Sequence, residues 1–123
     1  MKNTKTGIAR ILSAFRYSFD GFIAAFKSEE ALREDVYLSL VLIPIVIFIR
    51  IDLIEKILLF SSVFFVIFAE LINTAIEVII DRISNDFHLL SKKAKDIGSC
   101  LVLISFVYLI VIWSLILYEN FVV

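Results

Sequence analysis

The sequence predicts an all-α membrane protein, with an N-terminal amphipathic surface helix followed by three transmembrane helices. Of its 123 residues, 61% are hydrophobic, and the mean hydropathy is +0.99. Soluble domains have about 45–50% apolar residues. Charged segments separate three long apolar stretches from one another and from the N-terminal region. The length allows one domain, which covers residues 1–123.

The composition excludes several kinds of site. The three glycines, Gly7, Gly21 and Gly98, lie too far apart to build a glycine-rich phosphate loop. The single Cys100 excludes a disulfide framework and a multi-cysteine zinc site, and the single His88 excludes a histidine metal cluster. We expect no nucleic-acid partner. Any chemistry must therefore use carboxylates and amines.

The surface helix is predicted over about 7–33. Its apolar residues recur at steps of three and four, the spacing of an amphipathic helix that lies in a membrane surface. They are Ile8, Ile11, Leu12, Phe15, Phe19, Phe22, Ile23 and Phe26. The pair Asp20–Gly21 is a candidate break in this helix. A helix packed on a partner protein is the alternative reading.

The three spans are predicted at about 33–50, 57–80 and 97–118. The first contains Pro44 and only 14 consecutive uncharged residues, so it must include residues 31–35 or tilt. Near the outer end of the third, Trp113 and Tyr118 are typical of an aromatic belt. Three helices cannot surround a buried polar site, so we expect an oligomer.

The positions of the basic residues predict the orientation, because short loops rich in Lys and Arg stay in the cytoplasm. Two basic residues lie in 50–56 and none follows the third span. The N-terminus and the 81–96 loop are therefore predicted to be cytoplasmic. The N-terminal region has no apolar run with a cleavage site, so we expect it to remain in the mature protein. The basic residues of the two cytoplasmic regions are Lys2, Lys5, Arg10, Arg16, Lys27 and Arg33, and Arg82, Lys92, Lys93 and Lys95.

Polar side chains interrupt the second span at Glu70, Asn73 and Glu77, spacings that place all three on one helix face. Counting from Ile57, Glu70 lies about 20 Å and Glu77 about 30 Å below the outer surface. A carboxylate in hydrocarbon costs a few kcal/mol and needs a reason, such as a general base for a hydroxyl. A hydrogen-bonded clasp between subunits and a proton-coupled transporter are the alternatives.

Charged residues cluster at the cytoplasmic ends of the spans. Acidic groups there can bind Mg²⁺ together with substrate phosphates, and Lys or Arg can neutralise the phosphates. The alternative is a solvated loop. Asp96 is a candidate N-cap of the third span, His88 is expected at the surface, and Cys100 is expected to be buried.

The sequence resembles the prokaryotic diacylglycerol kinase family over nearly the whole chain, most specifically in two blocks of residues. The first block is Glu-Leu-Ile-Asn-Thr-Ala-Ile-Glu at 70–77 with Asp81–Arg82, and the second is 88–99. The resemblance implies a lipid kinase of the bacterial cytoplasmic (inner) membrane. It further implies a homotrimer with active sites shared between subunits, and transfer of the ATP γ-phosphoryl group to 1,2-diacylglycerol to give phosphatidic acid.

Roles for individual residues also follow from this resemblance. Glu70 would be the catalytic base, Glu29 and Glu77 the Mg²⁺ ligands, and Asn73 a supporting residue. The residues implied for ATP binding are Arg10, Tyr17, Glu29, Glu77, Asp86, Phe87, His88, Lys95 and Asp96. Those implied for the lipid are Arg10, Ser18, Ala31, Arg33, Asp35, Glu70, Ser99 and Trp113.

A related branch of the superfamily phosphorylates undecaprenol with the same polar face. The segments 29–35 and 88–99 of this chain resemble the diacylglycerol branch instead. The chain departs from the family pattern at Asp35, where the pattern has Glu, and at 84–87. These departures affect the shape of the lipid and adenine pockets.

Overall fold

The computed structural model describes residues 6–123 as four helices: α1 (Gly7–Ser28), α2 (Glu30–Phe48), α3 (Leu53–Ile83) and α4 (Leu89–Phe121). Lys2 and Lys5 lie outside the described residues. Helix α3 packs against α4 along most of its length and against α2 on another side. Helix α1 packs mainly on α2. The predicted all-helical class is confirmed.

Helix α1 corrects two predictions. It runs unbroken through Asp20–Gly21, since one glycine in a helix costs only about 1 kcal/mol and no proline accompanies it. It ends at Ser28, and the next residue, Glu29, is extended with φ −114° and ψ 111°. Residues 30–33, predicted to end the surface helix, instead begin α2. The apolar side chains of α1 are largely exposed, which is consistent both with a helix lying in a membrane surface and with one packed on a partner protein.

Helix α2 corresponds to the first predicted span. Its 19 residues rise about 28 Å, close to the thickness of a hydrocarbon core. It continues through Pro44 and carries Arg33, Glu34 and Asp35 in its first two turns. Only α3 and α4, among the described residues, combine the length and apolar composition of a membrane span.

The segment 81–96 is mostly helical, and only residues 84–88 separate α3 from α4. Its Lys- and Ala-containing stretch favours helix, so α4 begins eight residues before the predicted third span. Asp96 is consequently inside α4, and the N-cap prediction for it is wrong. The N-cap is His88, whose Nδ1 accepts a 3.1 Å hydrogen bond from the backbone N–H of Leu90.

The α3–α4 interface is tight towards the N-terminal end of α4, where Gly98 faces Asn73. A Cβ at Gly98 would clash with Asn73 Oδ1 and would lie 3.2 Å from its Cγ. Cys100 is two residues further, about 200° around the helix, and is therefore exposed rather than buried. Towards the C-terminal end of α4, the Trp113 indole N–H donates a 3.0 Å hydrogen bond to Ser62 Oγ. Trp113 thus turns towards α3, whereas Tyr118 is exposed.

Candidate active site

The polar face of α3 forms one wall of the candidate site. Glu70, Asn73 and Glu77 lie on it as the sequence predicts, and Asp81 extends it by one more turn. The Glu70 side chain is buried, with 5% of its surface exposed. Asn73 Nδ2 lies 3.4 Å from Glu77 Oε1, and Asn73 Oδ1 is buried without a partner among the described residues. The face therefore runs from a buried acid to the C-terminal end of α3.

A second buried acid, Asp35 of α2, faces Glu70. Their carboxyl groups are close enough to interact, and Asp35 is 8% exposed. Asp35 Oδ2 has no hydrogen-bond partner among residues 6–123. A buried acceptor left unpaired costs about 1–3 kcal/mol. Together with Asn73 Oδ1, it gives this interior two acceptors that suit a hydroxyl or amine donor.

Glu29 adds a third carboxylate to Glu77 and Asp81 at the boundary of α1, α2 and α3. Burial raises the pKa of Glu29, repulsion from Glu77 and Asp81 raises it further, and Arg33 opposes the increase. A cation between Glu29 and Glu77 would relieve that repulsion. No group of three or more side chains spaced to ligate a metal occurs within the described chain. Two carboxylates plus substrate phosphates are, however, a usual Mg²⁺ environment.

A groove of about 480 Å³ lies between the end of α3 and the start of α4. Two ion pairs cross or border it: Lys95 Nζ lies 3.1 Å from Asp81 Oδ1, and Lys92 Nζ lies 2.6 Å from Asp96 Oδ2. The groove brings together five of the residues implied for ATP binding, namely Asp86, Phe87, His88, Lys95 and Asp96. Ammonium groups beside carboxylates suit a metal-bound triphosphate.

Other predicted residues stand apart from this groove in the single chain. Arg10 and Ser18 line a separate groove of about 550 Å³ on α1, and Tyr17 is about half exposed. Ala31 and Ser99 are exposed. Trp113 contacts α3 at Ser62, which is eight residues, or about 12 Å, above Glu70.

Two charged residues of the groove receive no individual role in the sequence interpretation: Asp81 appears there only within the first family block, and Lys92 only among the basic cytoplasmic residues. Asp81 follows Glu77 by four residues, so its place on the same face could have been found from spacing alone. Lys92 follows from the 92–96 spacing once the segment is known to be helical. Arg33, implied for the lipid, donates hydrogen bonds to backbone carbonyls of α1.

The chain is similar to known proteins over nearly its full length. The family model described as prokaryotic diacylglycerol kinase matches residues 16–117. The diacylglycerol kinase of Escherichia coli K12 is 39% identical over 121 residues, which cover 98% of this chain and 99% of that protein. Those of Haemophilus influenzae and Pseudomonas aeruginosa are 40% and 41% identical over 113 residues, 92% of this chain and 96% and 92% of theirs. The chain belongs to the prokaryotic diacylglycerol kinase family.

Proposed function

We propose that this protein is a membrane lipid kinase that transfers the γ-phosphoryl group of ATP to the free hydroxyl of 1,2-diacylglycerol, giving phosphatidic acid. The observation that carries the proposal is the polar face of α3. Glu70 is buried, and Glu77, about 10 Å further along the same face, lies beside the charged cytoplasmic end. The same helix face therefore places Glu70 at the depth of a lipid hydroxyl and Glu77 on the side from which ATP binds.

The proposed reaction is a direct in-line transfer without a phosphoenzyme, because phosphoryl transfer requires mainly positioning and charge stabilisation. Glu70 accepts the proton of the lipid hydroxyl as its oxygen bonds to the γ-phosphorus and the bond to ADP breaks. The single hydrogen of that hydroxyl goes to Glu70, so Asp35 Oδ2 and Asn73 Oδ1, which have no partner among the described residues, remain as acceptors for other donor groups of the bound substrates. Lys95 neutralises phosphate charge from the neighbouring groove.

Glu29 and Glu77 are the proposed Mg²⁺ ligands. Burial raises the pKa of Glu29 most, and repulsion from Glu77 raises it further; a divalent cation between the two carboxylates would relieve that repulsion. When held by these two carboxylates, Mg²⁺ would supply positive charge that offsets the charge developing on the transferred phosphate. Glu29 lies between α1 and α2, and its carboxylate is close enough to interact with Glu77 of α3 and with Asp81, which lines the groove.

The proposal places the protein in the bacterial cytoplasmic (inner) membrane, with α2, α3 and α4 as the three spans and α1 on the cytoplasmic surface. The distribution of Lys and Arg supports a cytoplasmic N-terminus and 81–96 segment. A homotrimer with shared sites would account for the separation of Arg10 and Tyr17 from the nucleotide groove, since a neighbouring subunit can bring them there.

The experiment that tests this proposal offers two alcohols in parallel. Purified protein in mixed micelles receives Mg·ATP labelled in the γ-phosphoryl group, with dioleoylglycerol or undecaprenol as acceptor. We expect label in phosphatidic acid. Label in undecaprenyl phosphate alone would assign the same site to a polyisoprenol kinase. No label in either lipid, from folded protein, would contradict the kinase proposal and favour a transporter or a structural oligomer.

A further inference from the structure

The corner between α1 and α2 consists of a single residue, Glu29. Helix α1 ends at Ser28 and α2 begins at Glu30, so the change of direction falls on the extended backbone of Glu29. Its amide N–H still donates a 2.8 Å hydrogen bond to the carbonyl of Ala25. Because Glu29 is the only residue between the two helices, a change in the direction of α1 would also move the Glu29 carboxylate.

The side chain of Arg33 crosses this corner. Its Nη1 donates hydrogen bonds of 2.8 Å to the carbonyl of Phe26 and of 2.9 Å to the carbonyl of Lys27, the last turn of α1. Carbonyls at a helix C-terminus lack partners within the helix and carry partial negative charge. A guanidinium that donates to two of them satisfies both groups and places a full positive charge at the negative end of the helix.

Apolar packing on both sides of the corner also holds the end of α1 against α2. Leu32, the neighbour of Arg33, is fully buried. The rings of Phe26 and Tyr37 meet edge to face with centroids 6.2 Å apart, so the end of α1 is held against α2 from a second direction. Arg33 is half-buried, and its charge also attracts the Glu29 carboxylate.

We propose that Arg33 is a positioning residue that caps α1 across the corner and holds Glu29 towards Glu77, instead of serving as a ligand of the lipid. The inference rests on the proposed function, in which Glu29 and Glu77 hold Mg²⁺. Partners that orient metal ligands commonly change metal affinity or activity by about 10- to 100-fold when they are removed. Loss of Arg33 should therefore act on the metal requirement, because the Glu29 carboxylate loses its place.

The test compares Arg33→Gln with Lys27→Gln, which removes a charge from the same corner but leaves both capped carbonyls in place. Free Mg²⁺ is titrated at fixed ATP, and dioleoylglycerol is titrated at saturating Mg²⁺. We expect Arg33→Gln to raise the Mg²⁺ concentration at half-maximal rate by about 10- to 100-fold. The KM for dioleoylglycerol should stay within about twofold, and Lys27→Gln should match the wild type. Arg33→Lys keeps the charge but not the two-carbonyl contact, and should lie between them.

Amide hydrogen exchange in the same micelles measures the stability of the α1–α2 corner independently of activity. Amides of residues 25–29 should exchange about tenfold faster in Arg33→Gln than in Lys27→Gln, since the last turn frays without its cap. Equal exchange would overturn the proposal. A higher KM for dioleoylglycerol with an unchanged Mg²⁺ requirement would also overturn it, making Arg33 a lipid ligand while the kinase assignment stands. Wild-type protein that transfers no phosphate would instead refute the proposed function and, with it, this role.

Discussion

Replacing Gly98 by Ala should damage activity far more than stability. The added Cβ would clash with Asn73 Oδ1 and lie 3.2 Å from Asn73 Cγ, whereas its distance of 3.6 Å from Asn73 Cα is an ordinary contact. The side-chain amide is the flexible part of this contact, so it turns away before the helix backbones separate. Rotation breaks the weak 3.4 Å contact with Glu77 and moves Asn73 out of the polar face.

The expected magnitudes follow from those two changes. Losing the Asn73–Glu77 contact costs about 1 kcal/mol, and the higher helix propensity of Ala over Gly returns about 1 kcal/mol. The free energy of unfolding should therefore change by less than about 2 kcal/mol. Activity should fall by about 10- to 100-fold, the usual effect of removing a residue that orients a metal ligand.

The assay measures kcat for lipid phosphorylation and the midpoint of thermal unfolding in the same micelles. Gly21→Ala is the matched control, because nothing lies within 4 Å of a Cβ at that position in α1. It should stabilise the protein by about 1 kcal/mol and leave kcat unchanged. Normal activity of Gly98→Ala would refute the supporting role of Asn73. A loss of stability above about 3 kcal/mol would refute the idea that only the side chain yields.

Two further predictions concern the two ends of α3. Glu77→Ala should raise the Mg²⁺ concentration for half-maximal rate by at least about tenfold at unchanged KM for dioleoylglycerol, and an unchanged Mg²⁺ dependence would exclude Glu77 as a ligand. Trp113→Phe and Ser62→Ala each remove the 3.0 Å hydrogen bond between α3 and α4, so each should lower the free energy of unfolding by about 1 kcal/mol. The double variant should cost little more than either single one. Strictly additive losses would show that the bond contributes nothing.

The helices were predictable where hydrophobic periodicity and length decide them. The shared face of Glu70, Asn73 and Glu77 follows from the 3.6-residue helical period alone, and it does not depend on which helices pack against it. The boundaries were less accessible. No Gly or Pro marks the corner at Glu29, since that turn is held by Arg33 from four residues away. The lysines of 92–95 resemble a loop in composition, although α4 already includes them.

The candidate site was predictable residue by residue but not as an arrangement. Asp35 was assigned to the lipid set, yet its nearness to Glu70 depends on how α2 packs on α3, which no local pattern encodes. The sequence predicts a buried Cys100, since a free cysteine behaves as a small hydrophobic residue. Its exposure follows from Gly98, which fixes the side of α4 that meets α3. Tertiary packing therefore decides the contacts that spacing leaves open.

The most direct test of the central claim is the rate of phosphoryl transfer to dioleoylglycerol by Glu70→Gln, compared with Glu55→Gln near the N-terminal end of the same helix. Glu55 accepts a hydrogen bond from Asn120, which an amide oxygen also accepts, so this control repeats the substitution outside the site. Glu70→Gln should fold normally and lose about 10²- to 10⁴-fold in kcat, whereas Glu55→Gln should retain wild-type activity. Near-normal turnover by Glu70→Gln would contradict the assignment of Glu70 as the catalytic base.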